Sequence, residues 1–289
     1  MPLDRLWGAL HSDMVLNENI FENLSAMQSE VANLRQTYSR INRQSKGPNF
    51  GDEKVREAYV LAYHPGHART YLDIFLNQGL GDHLIEGINA QSSIGVLGAG
   101  AGAESLAFLN FAAIRGFRTD GLSIGFVDKA DWSFQREACC FGKVRELVGT
   151  LPNKVDSFIQ DLIQPEALSL LSEFIPKNDL IFCPAIYTEL DAQNNGLGLI
   201  SEVCRLMKVQ SRILVIDQSN VNGFAEKCRR LANISQMHPI HQGDATVRVP
   251  SPPAGTLASA VLDGIPYRIQ NGRIPRSRYD FSWALLQKD

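Results

Sequence analysis

Between Ser92 and Asn220 the chain alternates short apolar runs with amphipathic segments. The runs Ile94–Leu97, Leu122–Val127, Lys154–Ile159, Leu180–Cys183 and Arg212–Ile216 have strand length and carry many β-branched and aromatic residues. Between them, Ala103–Arg115, Trp132–Leu147, Pro165–Phe174 and Leu197–Met207 read as amphipathic helices. Strand–helix alternation at this period predicts an α/β fold, a Rossmann-type, mainly parallel sheet with helices on both faces. Such sheets bind ligands at the carboxyl ends of the strands, near the switch in strand order.

The region before it, Met1 to Gln91, reads as helical. Asn17–Leu34 places Ile20, Phe21, Leu24, Met27, Val31 and Leu34 on one face, and Arg43–Asp52 is a polar loop. A second helix presents Val55, Ala58, Tyr59 and Ala62, Pro65 and Gly66 interrupt it, and a third covers Ala68–Leu80. The expected organisation is a helical extension or lid over 1–91 and a Rossmann-type domain over 92–289. The last seventy or so residues are less regular. Phe224–Asn233 looks helical, Val247–Pro253 is a proline-rich loop, Asn271–Gly272 signals a hairpin turn within Tyr267–Ile274, and Phe281–Leu286 suits an edge strand.

Composition narrows the function. The 289 residues are 44% hydrophobic and 20% charged, which suits one large domain with an extension. A net charge of −3 argues against electrostatic binding of nucleic acid. The five cysteines include Cys139 and Cys140 but no CxxC pair, so neither a disulfide framework nor a thiolate zinc site is expected. A reducing cytoplasm fits this usage. The first residues lack a basic start followed by an apolar core, and no apolar run approaches the roughly 18 residues that span a bilayer. No membrane partner is expected.

The strongest local signal is Ile94-Gly-Val-Leu-Gly-Ala-Gly-Ala-Gly102, a strand running into a glycine-rich turn and then a helix. Glycine permits the tight turn and the close approach of a ligand, and free N–H groups at the helix start face that ligand. The spacing is GxGxG, with Ala103 where a dinucleotide fingerprint has its third glycine. The turn alone does not separate nicotinamide from other nucleotide-like cofactors.

With the strands that follow it, this turn resembles motif I of the Rossmann-type S-adenosylmethionine-dependent methyltransferases. The resemblance covers about Ser92–Asn220 and implies an antiparallel final strand near Phe281–Leu286. It implies S-adenosylmethionine as cofactor, held by Gly98, Ala99, Gly100, Gly102, Glu104, Asp128, Lys129, Asp161, Leu162 and Pro184. Asp128 ends the second strand, where that family grips the ribose hydroxyls, and Asp161 follows the third, near the adenine. Tyr187, after the fourth strand, is placed at the reacting methyl group. Each position has a structural alternative. Asp128 can cap a helix, Asp161 can open a turn, Trp132 can cover adenine or fill the core, and Tyr187 can simply pack. Val96 stands where the family carries an acid two places before the first glycine, and Glu104 either compensates or is a solvated first-turn residue.

The segment Ala58–Phe75 concentrates Tyr59, Tyr63, His64, His67, Arg69 and Tyr71 directly before the first strand. Tyr63 and Tyr187 are the candidate catalytic residues, and Arg69, Tyr71 and Tyr187 the candidate substrate contacts, Arg69 through its planar fork. With Arg35–Ser39, this segment also resembles a methyltransferase-like family of mitochondrial small-ribosomal-subunit assembly, whose cysteine cluster is not visible here. Two pairs, His64-Pro-Gly-His67 and His238-Pro-Ile-His241, can offer imidazoles to zinc. Proline inside each disrupts the helical geometry and no HExxH glutamate is present, so no metal is expected.

The expected activity is biosynthetic methyl transfer to a small molecule by in-line attack on the sulfonium methyl. Alternatives are attack at another sulfonium carbon, giving aminocarboxypropyl transfer or cyclisation with release of methylthioadenosine, and a non-catalytic ribosome-assembly factor. A nicotinamide oxidoreductase comes after these. A homodimer is compatible with all of them.

Overall fold

The computed structural model describes residues 2–12, 21–40, 48–185, 196–219, 224, 230–231, 233, 236–265 and 278–289. Among these, the strands are β1 (Ser93–Leu97), β2 (Ser123–Asp128), β3 (Lys154–Ile159), β4 (Leu180–Pro184), β5 (Arg212–Gln218), β6 (Met237–Arg248) and β7 (Arg278–Lys288). They form one sheet in the order β3-β2-β1-β4-β5-β7-β6. Strands β1 to β5 pair in parallel, and β7 runs antiparallel to both its neighbours. The order reverses between β1 and β4, so a crevice opens beyond their carboxyl ends.

Five helices precede the sheet: α1 (Pro2–His11), α2 (Leu24–Arg40), α3 (Glu53–Ala62), α4 (His64–Asn77) and α5 (Leu80–Glu86). Helix α6 (Ala103–Ile114) joins β1 to β2. The next connection holds α7 (Ser133–Gln135), a π-helical stretch Arg136–Phe141 and α8 (Gly142–Leu147). Then come α9 (Ala167–Phe174), α10 (Gly196–Leu206) and, between β6 and β7, α11 (Leu257–Asp263).

Strand alternation sorts the core into two layers. Ile94, Val96, Leu180, Phe182, Leu214, Ile216, Phe281 and Trp283 face one core, which also contains Leu6, Tyr71, Phe75 and Phe108 of α1, α4 and α6. Leu97, Ile181, Cys183, Ile213, Val215 and Leu286 face the other, with Leu171 of α9 and Val203 of α10. Apolar residues on both faces explain the near-continuous apolar runs of the parallel strands. Helices α1, α4 and α5 are therefore built into the main core, while α2, α3 and α11 share a third cluster with Ala101 and Trp132.

The structure changes several sequence expectations. Helix α2 begins at Leu24, where Asn23 caps it by accepting from the Ala26 amide at 3.0 Å, and Asn17–Ile20 of the expected helix lie outside the described residues. Pro65 does not interrupt a helix. It lies in the first turn of α4, where its missing N–H costs nothing. Helix α4 ends at Asn77, before Gly79 in the left-handed region, and α1 and α5 lie in the region expected to be helical without having been delimited there. Phe281–Leu286 belongs to β7, an interior strand, and the edge is β6, whose last residues Val247 and Arg248 had been assigned to a loop. The hairpin turn at Asn271–Gly272 and most of Phe224–Asn233 lie outside the described residues.

One close contact sets the position of the glycine turn. Gly95 of β1 is paired with Gly125 of β2, and the Phe174 ring covers both. A Cβ at Gly95 would lie 2.8 Å from that ring, and one at Gly125 would lie 2.6 Å from it. Gly125→Ala should therefore overpack the site and lower the unfolding free energy by roughly 1–3 kcal/mol. A shifted urea midpoint with unchanged m-value would show it. An unchanged midpoint would mean that Phe174 moves aside freely.

Candidate cofactor site at the carboxyl end of the sheet

Strand β1 ends in a turn whose three glycines all have left-handed backbone, φ 69° at Gly98, 49° at Gly100 and 80° at Gly102. An L side chain would be strained at each. A Cβ at Gly100 would meet no atom within 4 Å, so that face of the turn is open. The Gly98 amide donates to the Val127 carbonyl at 2.8 Å, and the Gly102 amide to the Ala99 carbonyl at 2.9 Å.

Both backbone polar groups of Gly100 are held by side chains, one from the end of β2 and one from the connection that follows it. Its N–H donates to Asp128 Oδ2 at 2.9 Å, and its carbonyl accepts from Arg136 Nε at 2.9 Å. Asp128 Oδ1 also accepts from the Ala130 amide at 3.1 Å and the Trp132 indole at 3.2 Å. Arg136 Nη1 donates to Ser157 Oγ at 3.1 Å, and its guanidinium carbon lies 4.5 Å from the Phe126 ring centre. Asp128 is 8% exposed and Arg136 4%, so these charged hydrogen bonds are shielded from water. Burial pulls the guanidinium below its usual pKa, while Asp128 and Glu104 act to raise it. Arg136 was missed in the sequence. Its position four residues after Trp132, on a helix face with Cys139 and Cys140, was the available signal. The π-helical stretch that carries it is a geometry often found at functional sites.

The other candidate residues distribute as follows. Ala99 is buried in the turn. Glu104 is buried in the first turn of α6 and accepts from Ser105 Oγ at 3.0 Å. Burial raises its carboxyl to about 7, against smaller opposing pulls from Ser105 and Arg136. Lys129 is exposed, its ammonium 5.7 Å from the Phe50 ring centre. Asp161 is half-buried and accepts from the Ile163 amide at 3.2 Å, which is turn-forming work, and Leu162 packs in the core with Val127. Pro184 is buried at the end of β4, opposite Ile216. Ala185 follows it with φ 51°, a costly conformation for a residue with a Cβ. Tyr187 lies outside the described residues.

Helices α3 and α4 lay a band of rings beside this turn. The Trp132 ring is 5.1 Å from Phe50 and 5.5 Å from Tyr59, and Tyr63 is 5.5 Å from Tyr59. The Tyr59 hydroxyl and His67 Nδ1 are hydrogen-bonded at 3.2 Å. Tyr71 is buried between His67 and Phe281. Burial raises the Tyr71 hydroxyl well above its usual pKa, and Glu104, Tyr59, Asp217 and Tyr279 add to the effect. Arg69 corrects an expectation. Its Nη1 donates to the Leu3 carbonyl at 2.7 Å, with Asp4 at 3.8 Å and the Trp7 ring centre 5.7 Å away, so it fastens α1 to α4.

The two histidine pairs lie on different elements. His64 and His67 lie in α4, while on β6 His238 pairs with Asp289 at 2.6 Å and His241 accepts from the Trp283 indole at 3.0 Å. Among the described residues no three His, Cys, Asp or Glu side chains converge as a metal site would need. Cys139 is buried, which pushes its thiol up to about 12.

No protein-family model and no curated protein matches the sequence. Solved structures do. The magnesium protoporphyrin IX methyltransferase of Synechocystis, with bound SAM, is 12% identical at a TM-score of 0.46, over 91% of this chain and 97% of that one. The precorrin-6y C5,15-methyltransferase of Geobacter metallireducens is 12% identical at 0.40, over 73% and 89%. An rRNA methylase of Streptococcus thermophilus is 12% identical at 0.38, over 73% and 94%. Likeness at this identity reflects the fold alone.

Two outcomes follow from the geometry. Asp128→Ala leaves the Gly100 and Ala130 amides and the Trp132 indole without their acceptor, and should cost about 3 kcal/mol of stability, about 1 for each donor. Denaturation followed by tryptophan fluorescence measures it, and a stability equal to that of the parent would show that the carboxylate is not a clamp. The second concerns pH. Burial lowers His11 and His64 from 6.5 to about 4, with the Cys139 carbonyl opposing at His64, and raises Glu104 from 4.5 to about 7. Between about pH 5 and 6 the unfolded chain binds two histidine protons that the folded chain lacks, and the folded chain binds one glutamate proton that the unfolded chain lacks. The net uptake of one proton on unfolding makes these groups cost about 1.4 kcal/mol of stability per pH unit of acidification. His64→Leu should bring that slope close to zero in urea titrations, and an unaltered slope would remove His64 from the account.

Proposed function

We propose that this chain is an S-adenosylmethionine-dependent methyltransferase acting on a small molecule. The observation that carries the reading is Gly100, open where a Cβ would point and with its N–H and carbonyl held by Asp128 and Arg136 at the strand-order switch. A carboxylate offers about four acceptor directions, and three are occupied here, so Asp128 retains room for one ribose hydroxyl on Oδ2. The turn fits a nucleoside whose ribose approaches bare backbone. The net charge of −3 favours a small-molecule acceptor over nucleic acid.

Bound S-adenosylmethionine supplies a methyl group already activated by its sulfonium. The protein then has to align an acceptor in line with it and keep water out. In this reading Tyr63 and Tyr187 orient the acceptor, and Tyr59, His67 and Tyr71 form the apolar, hydroxyl-bearing wall beside it. The strand-end position where an acid would grip the methionine part holds Val96, fully buried in the core. That observation favours a second reading, attack at another sulfonium carbon with release of methylthioadenosine.

Calorimetry with S-adenosylmethionine, and with NADH as control, tests the cofactor. Methyl-labelled cofactor supplied with the dialysable fraction of a cell extract, and separately with its macromolecular fraction, tests the acceptor. Label in a dialysable product together with S-adenosylhomocysteine is the expected result. Methylthioadenosine as product would establish the second reading, and label in macromolecules would overturn the small-molecule acceptor. Binding of NADH alone would overturn the cofactor.

A further inference from the structure

Two carboxylates flank the glycine turn, and they differ in what they do. Asp128 spends its oxygens on Gly100, Ala130 and Trp132. Glu104, two residues past Gly102, is 3% exposed, and its partners lie within its own helix end: the Ser105 hydroxyl and the Glu104 and Ser105 amides. From other elements, Tyr71 of α4 and Arg136 and Cys140 of the π-helical stretch face it. Arg136 makes no hydrogen bond to it: Nε and Nη1 donate to the Gly100 carbonyl and Ser157, and the buried Nη2 has no partner. The net effect of these surroundings is a carboxyl raised to about 7, which an effective counter-ion would have prevented. Val96, meanwhile, leaves the end of β1 without an acid.

We infer that Glu104 supplies the counter-charge for the methionyl ammonium of the cofactor, in place of the acid missing from the end of β1. The inference rests on the cofactor reading above. A buried acid without an ion-pair partner keeps its proton until a cation arrives, so ligands carrying the ammonium displace that proton on binding. The Glu104 carboxyl proton is lost to buffer, and the ligand's ammonium takes its place beside the carboxylate. Ligands made only of the adenosine part cause no such release.

The experiment compares S-adenosylhomocysteine, which has the ammonium, with methylthioadenosine, which lacks it. Both are titrated calorimetrically from pH 6 to pH 8 in buffers of differing ionisation enthalpy. For the parent protein, affinity for S-adenosylhomocysteine should rise roughly tenfold across this range with proton release below neutrality, while methylthioadenosine binding stays flat. Glu104→Gln should bind methylthioadenosine as the parent does, which also shows that it is folded. It should bind S-adenosylhomocysteine roughly 10- to 100-fold more weakly at pH 8, with no pH dependence. Glu104→Asp, which keeps the charge, should retain proton release. If both ligands bind but Glu104→Gln leaves affinity and proton release unchanged, Glu104 is not the counter-charge while the cofactor reading stands. If the parent protein binds neither ligand, the cofactor reading falls and this inference with it.

Discussion

The candidate site depends on the backbone of one glycine being held on both sides of its Cα. The Gly100 N–H is bound by Asp128 at the end of β2, and its carbonyl by Arg136 in the π-helical stretch beyond. A glycine turn with three left-handed residues has little conformational stability of its own. Here the two side chains and the Phe174 ring beneath the paired glycines Gly95 and Gly125 supply it. All the buried polar atoms of the clamp are paired except Arg136 Nη2, which has no hydrogen-bond partner, and the turn is fixed without any side chain projecting into the space beside Gly100. Preorganisation of that kind lowers the ordering cost of binding a ligand.

The same clamp ties the amino-terminal helices to the site. Trp132, anchored to Asp128, contacts Phe50 and Tyr59, and Tyr59 reaches His67 in α4. Helix α4 also packs Tyr71 and Phe75 into the core shared with β1 and α6, and Arg69 locks α1 onto it. The helices expected to form an extension are thus continuous with the core, so displacing α4 from the site would expose apolar residues of the sheet's own layer.

What the sequence made legible follows from burial. Strands β1, β2, β4 and β5 have two covered faces and read as apolar runs, and their order and the antiparallel β7 agree with the resemblance. Strand β6 escaped because it is a half-exposed edge with Pro239, Gly243 and a register shift near His241, which leave a weak alternation. Position could also be read more easily than direction. Arg69 is where an aromatic, basic segment suggested a substrate contact, yet its guanidinium turns to the Leu3 carbonyl, a partner in a helix the pattern had not delimited. Asp128 was legible as a strand-end acid, while its bond to the Gly100 amide, which only three-dimensional pairing of β1 with β2 creates, was not.

Asp128 and Glu104 show why a residue type at a motif position does not fix its role. Both are buried acids next to the same turn. Asp128 meets two backbone amides and an indole from two elements, and its charge is absorbed into the fold. The hydrogen-bond donors to Glu104 all lie in the first turn of its own helix, and burial outweighs them. An acid whose charge the fold has not absorbed remains free to respond to what enters the site, whereas one that is part of the clamp can change partner only if the turn itself changes. The division of labour between the two carboxylates, rather than the glycines alone, is what makes this end of the sheet suited to a ligand with a neutral ribose at one end and a positive charge at the other.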